Sequence, residues 1–450
     1  MPAKAQARYD CGAVQPDFAM HGMSLVLRPS EAQQSDLDQL LAAQQDANSS
    51  LYHRWLTPQG FADRFAPSKS DVEQIQRWLE SEGLGVKSVS ATRNWIAFEG
   101  TAATVERAFG TEIHSYRVDG SDHFANATAP KVPRALRSMV AGIRGLDDFL
   151  FHAPEPKLVP VFTSSTGSNY LTPADLATIY NLNPLYASGV DGSGQSLVVV
   201  GQSSINLSDI RSFRSLFGLP ANDPQLLLVP GLPDPGLSPN DVVEADLDLE
   251  WAGAAAPRAN VIYVYSRNVL DAVQYAVSQN LGTVVAMSYG GCETGAKALA
   301  LQLQTIAQQA NAQGMTWVAS SGDSGAAGCD SGAVATQGPA VIVPASIPEV
   351  TAVGGTRFNE GGAGYWRSTN NPNMSSALSY IPETAWNDYS FVSSQGQPGG
   401  ASGGGASAYF NKPYWQAGPG VPQDGMRDVP DVALAASAQH DGAIICTGGS

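Results

Sequence analysis

Beyond Tyr170 the sequence alternates between short apolar runs and longer amphipathic stretches. Four runs rich in β-branched residues predict buried strands, at residues 197–200, 261–265, 284–288 and 316–320. The stretches around them predict helices at residues 207–216, 242–255, 268–279 and 296–312. Strands covered by helices on both faces read as continuous apolar runs, so this alternation predicts an α/β fold built on a parallel sheet.

The first 150 residues show a different order of elements. Strands are predicted at residues 23–27, 86–90, 94–99 and 111–117, and helices at 35–47, 70–84 and 103–109. This βαββαβ-like order predicts an α+β, ferredoxin-like domain at residues 21–150 after a loose tail at 1–20. A stretch rich in Pro and Ser, 151–168, predicts a linker, followed by a second domain at 169–450. From residue 354 onward Gly, Ser, Asn and Pro predominate, which predicts loops.

The charge composition limits the partners of this chain. Acidic residues outnumber basic ones 41 to 25, for a formal net charge of -16. We therefore expect no nucleic-acid partner and no anionic lipid surface, and the apolar runs are too short to span a bilayer. Because basic residues are few, the chain gains little positive charge when its carboxylates are protonated, which suggests that it works in acid. Solubility at neutral pH is an alternative explanation of the same composition.

Carboxylates are concentrated on the helix that begins near Asp241. Glu244 and Asp248 share one helix face, and Asp246 and Glu250 share another. Like charges four residues apart destabilise a helix, so the two pairs require an explanation. A pair in an apolar cleft would have one raised pKa and would supply a general base with a partner that orients it. The alternative is a solvated acidic face stabilised by the helix N-terminus.

A second candidate is Asp323, in the segment 319–325 at the carboxyl end of a predicted strand, where open α/β sheets bind ligands. Its Gly-Asp-Ser-Gly sequence also occurs around the nucleophile of chymotrypsin-like proteases, but those need an upstream histidine in a β-barrel. A protonated Asp323 would donate a hydrogen bond to a developing oxyanion. An Asx-turn that holds a tight glycine-rich loop is the alternative.

Histidine and cysteine usage excludes two common kinds of site. Of six histidines only His440, in a polar turn, lies beyond residue 152, so a Ser-His-Asp triad is disfavoured. The four cysteines show no zinc-type spacing, and no metal site is expected in this chain.

Together these segments resemble the sedolisins, or serine-carboxyl peptidases, and most nearly their kumamolisin-like members. The helix segment 244–250 fits the family's Glu-x-x-Leu-Asp-x-Glu motif, and segment 321–325 fits its Ser-Gly-Asp-Ser-Gly loop. Segments 288–293, 343–356, 402–416 and 427–434 add to the match, and 52–61 and 97–101 resemble the family's activation prodomain.

The resemblance implies a subtilisin-like catalytic domain preceded by a prodomain. It implies Glu244 as the base, Asp248 as the carboxylate behind it and Asp323 as the oxyanion-stabilising acid. It also implies a substrate-binding strand, with residues Ser288, Tyr289, Gly290 and Gly291. The expected function is that of a secreted, acid-acting serine endopeptidase that cleaves proteins or peptides. Its prodomain would act as an intramolecular inhibitor and chaperone, and we expect a monomer.

The sequence also departs from the family. The nucleophile motif Gly-Thr-Ser-x-x-x-Pro does not occur in the 450 residues, and Ser450 has no following helix to activate it. We therefore expect a C-terminally truncated, inactive chain. The family's calcium is expected only in a complete domain, since its ligands are not present here. No signal peptide is visible. A catalytically inactive relative that binds peptides is the alternative function.

The predicted topology has two further consequences. Cys292 and Cys329 each follow the carboxyl end of a strand, and neighbouring parallel strands bring these ends together, so we predict a disulfide. Cys446 should be unpaired, and Cys11 should lie in the loose tail. The Glu244, Asp248 and Asp323 carboxyls should meet near one point, with Asp246 more exposed than Asp248.

Overall fold

The structure is a computed structural model that describes residues 5–118, 120–149, 151, 169–330, 334–362, 364–394 and 399–449. The chain divides into two compact units. The first comprises Met1–Leu150, Val277–Asn280 and Gly295–Met315, and the second comprises Phe151–Ala276, Leu281–Thr294 and Thr316–Ser450. Residues 152–168, which make up nearly all of the predicted linker and its processing site, lie outside the described residues, as does Ser450.

The N-terminal region contains seven strands and four helices. The strands are β1 (Asp10–Ala13), β2 (Ala19–Leu27), β3 (Gly85–Val89), β4 (Trp95–Thr101), β5 (Ile113–Val118), β6 (Ser121–Asn126) and β7 (Val140–Arg144). The helices are α1 (Glu31–Gln45), α2 (Pro58–Phe65), α3 (Lys69–Ser81) and α4 (Ala102–Phe109). Helix α3 begins at a capping box in which the side chains of Ser68 and Asp71 each accept a hydrogen bond from the other's backbone N–H, and its first residue lies one position before the predicted start at 70.

The sheet of this region has the strand order β3-β4-β2-β7, with every neighbouring pair antiparallel. This is the order of a ferredoxin-like fold, as predicted, but its fourth strand is β7. The predicted fourth strand, residues 111–117, instead forms β5 in a second sheet of order β1-β5-β6. The prediction of a loose N-terminal tail is also wrong, because β1 satisfies its backbone groups by pairing with β5.

The described residues from 151 onward add twelve strands and seven α-helices. The strands are β8 (Ser196–Gly201), β9 (Gln225–Leu228), β10 (Asn260–Tyr265), β11 (Val284–Met287), β12 (Gly291–Cys292), β13 (Thr316–Ser320), β14 (Ile342–Val343), β15 (Val350–Phe358), β16 (Glu383–Ala385), β17 (Gly405–Asn411), β18 (Met426–Val429) and β19 (Val432–Ala435). The helices are α5 (Pro173–Ile179), α6 (Asn183–Ala187), α7 (Leu207–Leu216), α8 (Pro239–Ala255), α9 (Val269–Gln279), α10 (Lys297–Ala312) and α11 (Tyr389–Ser394).

The second unit is organised around an eight-stranded sheet of order β16-β15-β13-β11-β8-β10-β9, with β19 beside β15. Its strand pairs are parallel except β15 with β16. Val198, Val199 and Val200 of the central strand β8 are fully buried. The α/β fold class predicted from the apolar runs is therefore confirmed, and the carboxyl ends of the parallel strands define one edge of the sheet.

The prediction of loops beyond residue 354 is wrong for β16, α11, β17, β18 and β19. β17 and β18 pair with each other, and β16 and β19 join the main sheet. Glycine there reflects close packing. A Cβ on Gly354 would stand 2.6 Å from Pro430, and one on Gly355 would stand 2.8 Å from Ala436. A strand that must accept neighbours this closely carries glycine, and its composition then resembles that of a loop.

Cys292 and Cys329 form a disulfide with a Cα–Cα distance of 4.5 Å, the pairing expected from the strand ends. Cys446 is a buried free thiol, and Cys11 is an exposed one within β1. None of the helices in the described part of the chain is long and apolar enough to cross a bilayer.

Candidate active site

The topology of the second unit places the candidate residues at one edge of its sheet. Helix α8 connects the parallel strands β9 and β10, so it runs opposite to them and begins at the edge where they end. Glu244 lies in the second turn of this helix. Ser288 directly follows β11, and Asp323 follows β13 by three residues. Residues far apart in the sequence thus lie at the edge where such sheets bind ligands.

Glu244 is only 5% exposed, and its pKa is raised well above the usual 4.5. Burial is the largest cause, and the charges of Asp248 and Asp323 follow in that order. A hydrogen bond with Ser288 acts in the opposite direction. Since charges raise each other's pKa only over short distances, the structure brings the three carboxyls together, while their catalytic roles stay a prediction.

Asp248 is held by a hydroxyl group. The Ser288 Oγ donates a hydrogen bond of 2.8 Å to Oδ1 of Asp248, and this bond lowers its pKa. Burial dominates and raises the pKa to about 7. Among the described residues, no group donates to the buried Oδ2. The Glu244–Asp248 pair therefore retains a proton that two solvated carboxyls would lose in mild acid.

Asp323 lies on a loop that a neighbouring segment holds in place. Burial raises its pKa to about 6. The backbone N–H of Ala401 donates to the carbonyl of Asp323 at 2.9 Å, and that of Gly403 donates to Gly322 at 2.6 Å. A Cβ on Gly403 would stand 2.0 Å from the Ser321 carbonyl oxygen, so only glycine fits there. The Asp323 carboxyl is thus neutral in acid and fixed in position, the properties of a hydrogen-bond donor to an oxyanion.

The predicted substrate strand lies beside this site. The side chain of Ser288 donates to Asp248, and that of Tyr289 is buried. A Cβ on Gly290 would stand 2.5 Å from Ile342, and one on Gly291 would stand 2.7 Å from the ring of Phe151. Other side chains thus already pack closely on the main chain at both glycines, which a larger residue at either position would prevent.

Phe151 and Gln202 were not found by sequence reasoning. The Nε2 group of Gln202 donates to the carbonyl of Phe151 at 2.9 Å, while the Phe151 ring packs on Gly291. Phe151 is the first residue of the predicted linker, so this strand already holds a piece of polypeptide. The only available signal was an aromatic residue just before a Pro-rich segment.

Asp246 and Glu250, on another face of α8, are also buried, which corrects the expected exposure of Asp246. Asp246 is 0% exposed, and Asp248 is only partly buried by the same measure. Burial raises the pKa of Asp246 to about 7 and that of Glu250 to about 9. The hydroxyl of Thr447 donates to Asp246 at 2.8 Å, and the backbone N–H of Cys446 donates to Glu250 at 3.0 Å.

Asp209 of helix α7 joins this second set and was also missed. The backbone N–H groups of Gly448 and Gly449 donate to its carboxylate at 3.0 and 3.1 Å. Three buried carboxyls thus accept hydrogen bonds from the segment 446–449, and their arrangement holds that segment in place.

His440 pairs with the carboxyls of Glu360 and Asp441. This is the one group of three potential metal ligands that converges among the described residues. Calcium takes oxygen ligands, so a set that includes an imidazole does not suit the calcium expected from the family resemblance. We assign no step to calcium.

Comparison with known proteins identifies both parts of the chain. Residues 9–149 match the family described as Pro-kumamolisin, activation domain. The chain is 30% identical to sedolisin of Pseudomonas sp. (strain 101) over 445 residues, covering 94% of this chain and 71% of that protein. It is 28% identical to kumamolisin of Bacillus sp. (strain MN-32), covering 84% of this chain and 67% of the relative. The chain therefore belongs to the sedolisin family of serine-carboxyl peptidases, and it carries an activation prodomain.

Two further similarities have lower coverage. The chain is 29% identical to human tripeptidyl-peptidase 1, covering 72% of this chain and 60% of that protein. The solved structure of Pseudomonas sedolisin, a serine-carboxyl proteinase complexed with pseudo-iodotyrostatin, aligns with a TM-score of 0.49 and 28% identity over 63% of this chain and 75% of that one.

Proposed function

We propose that this chain is the precursor of a secreted, acid-acting serine endopeptidase whose base is the Glu244–Asp248 pair. The observation that carries the proposal is that Asp248, which the Ser288 hydroxyl holds, and Asp323 both act on the buried Glu244, and that all three carboxyls have a raised pKa. Perturbed carboxyls of this kind cluster at catalytic sites, where a base and an acid of the same residue type are needed side by side.

The proposed reaction is acyl transfer. A serine hydroxyl attacks the scissile carbonyl while its proton passes to Glu244. Asp248, the other carboxyl of the pair, orients Glu244. Protonated Asp323 donates a hydrogen bond to the oxyanion that forms. Collapse of this intermediate breaks the C–N bond, returns the proton to the leaving amine and leaves an acyl-enzyme, and water then repeats the sequence to release the acid.

The pKa values support work in acid. Asp323 donates only while it is protonated, which its pKa of about 6 allows below that pH. Because the pKa of Asp248 is about 7 and that of Glu244 is also raised, the pair accepts the serine proton in the fraction of molecules in which it has lost one of its own. The disulfide between Cys292 and Cys329 supports export, since such bonds persist in oxidising compartments.

The prodomain and Phe151 support the zymogen part of the proposal. The first 150 residues would restrain the peptidase and assist its folding, and Phe151 on Gly291 supports binding of extended polypeptide at that strand. Proteins or peptides are thus the proposed substrates, and the proposed enzyme acts as a monomer.

The nucleophile is proposed to lie outside the 450 residues, because they contain no Gly-Thr-Ser motif. That same observation favours a second candidate function, a non-catalytic relative that binds peptides. The chain spans 56% to 71% of the length of three curated relatives that it matches, so the activity of the whole protein is a proposal.

The test compares the 450-residue chain with the product of the full reading frame that contains it. Each is incubated at pH 4 with a denatured protein, and the products are mapped by mass spectrometry. We expect internal cleavages from the full product and none from the 450 residues. Tripeptides released only from N-termini would contradict endopeptidase action, and no hydrolysis by the full product would favour the peptide-binding alternative.

A control variant locates the nucleophile. Cleavage by the 450-residue chain that disappears in Glu244→Ala would show that a serine within these residues is the nucleophile, and it would overturn that part of the proposal. Cleavage that persists in Glu244→Ala would point to a contaminating protease.

A further inference from the structure

Three potential ligands meet in the second unit at residues that the proposed mechanism does not use. Glu360 lies two residues beyond the end of β15, and His440 and Asp441 lie in the turn after β19. The Nε2 atom of His440 is 2.8 Å from Glu360 Oε2 and 3.4 Å from Asp441 Oδ2. One ligand atom from each residue lies within 4.8 Å of the others. All three groups therefore face one point.

Asp441 supplies an independent sign that a ligand belongs there. Its side chain is 1% exposed, and its Oδ2 accepts no hydrogen bond from an N–H or hydroxyl donor of the described residues. The carboxyl of Glu360 faces the same point and shares a hydrogen bond with that of Asp441, which requires a proton between two acidic groups in the absence of a cation. A bound cation would satisfy this oxygen and neutralise both carboxylates.

The distances suit a small transition-metal ion. Zinc binds imidazole nitrogen and carboxylate oxygen at about 2.0–2.2 Å in a tetrahedron, which sets its ligand atoms about 3.3 Å apart. The two measured distances, 2.8 and 3.4 Å, bracket that value. Calcium and magnesium favour oxygen ligands alone, so the imidazole argues against both.

An access route is also present. An open cavity of about 540 Å³ has Glu360, His440 and Arg357 among its lining residues. Arg357 would repel a cation, but its guanidinium lies 3.7 Å from the Asp388 carboxylate, which offsets that charge. The cavity leaves space for water or another small ligand at the remaining coordination position.

We propose that Glu360, His440 and Asp441 form a binding site for a divalent transition-metal ion of the zinc type. The site is distinct in its residues from the Glu244–Asp248–Asp323 site, and the inference does not rest on the proposed peptidase function. The ion would link the loop after β15 to the turn at 440–441.

The site also bears on the beginning of the catalytic region. The other oxygen of Asp441, Oδ1, accepts a hydrogen bond of 3.0 Å from the backbone N–H of Asn169. Leu171 donates to the Gly442 carbonyl at 2.9 Å, and Ile444 donates to the Leu171 carbonyl at 3.2 Å. An ion that fixes Asp441 would therefore stabilise the pairing of 169–171 with 441–444.

The experiment is calorimetric titration of the untagged 450-residue chain with ZnCl₂, in a Cys11→Ser background because Cys11 is an exposed free thiol. We expect one zinc ion per chain, at least tenfold weaker binding in His440→Gln and Glu360→Gln, and no comparable binding of CaCl₂. Unchanged zinc affinity in both variants would overturn the proposal.

A matched control comes from His114, which also contacts two carboxylates. Its Nδ1 lies 2.9 Å from Asp10 and its Nε2 lies 3.6 Å from Glu112, so these contacts use opposite ring nitrogens and cannot converge on one ion. His114→Gln should bind zinc like the parent chain. Equal losses in His114→Gln and His440→Gln would show nonspecific binding and refute the site.

Hydrogen exchange separates ligation from general destabilisation. Zinc should slow exchange in peptides that contain 169–171 and 441–444 in the parent chain, with no such slowing in Glu360→Gln. That variant is the safer one for folding, because Glu360 is partly exposed and Gln keeps an oxygen acceptor for His440. Zinc-dependent protection in Glu360→Gln equal to that in the parent would contradict the proposal.

Discussion

Helix α8 carries two carboxylate pairs with the same spacing but with different surroundings. The Glu244–Asp248 pair faces the side-chain hydroxyl of Ser288 and is acted on by the charge of Asp323. The Asp246–Glu250 pair instead accepts hydrogen bonds from the segment 446–449. Burial raises the pKa of all four carboxyls, so a raised pKa alone does not separate a catalytic pair from a structural one.

The difference lies in what the partners can do. Backbone N–H groups of a segment held in place stabilise one arrangement, which suits a structural role. The Glu244–Asp248 pair lies instead where strands end, beside the glycine-rich main chain of Gly290 and Gly291 and beside an acid on a separate loop. We therefore propose the chemistry for this pair.

The largest expected effect comes from removing the base. In the product of the full reading frame, Glu244→Gln should lower kcat/KM by about 10²–10⁴-fold, the usual contribution of general-base catalysis. Asp246→Asn on the opposite face should change kcat/KM by less than about threefold at pH 4. Hydrolysis of a denatured protein measures both, and similar losses in the two variants would remove the distinction between the pairs.

The next largest effect concerns Asp323, whose charge acts on Glu244. Asp323→Ala should lower kcat about 10²-fold, the order of magnitude lost with one oxyanion donor. Because an amide donates at any pH, Asp323→Asn should keep more activity than Asp323→Ala and lose the decline that Asp323 ionisation causes near pH 6. A pH–rate profile with the decline near pH 6 intact would show that another group controls it.

Strands were predictable where a continuous apolar run marked them in the local sequence. Buried runs such as 197–200 and 261–265 predicted parallel strands because apolar residues continue along them. β17 and β18 were missed because glycine or charged residues interrupt their apolar residues, as at Gly405 and Asp428, and β19 was missed because its apolar run, 432–435, is short. The fourth strand of the N-terminal sheet was misassigned because pairing partners are set by tertiary contacts.

The sequence predicted which carboxylates belong to the candidate site, but it did not predict which of them are buried. The spacing of Glu244 and Asp248 placed them on one face, and the family resemblance supplied their roles. Asp246 contacts the segment 446–449, which lies far along the chain. The spacing of residues within a helix carries no information about such a distant contact. The Glu360–His440–Asp441 cluster escaped for the same reason, since zinc-type spacing detects ligands that are close in sequence.

The third effect concerns stability and tests the structural pair. Because Asp246 has a pKa of about 7 when folded and about 4 when unfolded, the folded chain binds more protons between these values, and its stability falls as the pH rises through that range. Asp246→Asn should raise the free energy of unfolding by about 1–3 kcal/mol at pH 7.5 and by little at pH 4.5, where the native carboxyl is already protonated. Denaturant melts at both pH values measure this.

Asp17→Asn is the matched control for that change, since Asp17 is exposed and its replacement alters the net charge equally. A similar gain in Asp17→Asn would assign the effect to overall charge. A loss of stability in Asp246→Asn at pH 7.5 would show that the carboxylate form is favoured, and it would contradict the raised pKa.

The smallest effect compares the two hydroxyl groups, each of which donates to one pair. Ser288→Ala and Thr447→Val each remove one hydrogen bond to a carboxylate, which should cost about 1–3 kcal/mol of stability in both cases. Only Ser288→Ala should also move the activity profile, because the Ser288 hydroxyl lowers the pKa of Glu244 and Asp248, and without it the pair gains its proton at higher pH. The acidic limb of the pH–rate profile should therefore shift upward in Ser288→Ala and stay in place in Thr447→Val. A shift in Thr447→Val as large as that in Ser288→Ala would mean that the two pairs titrate as one network along α8.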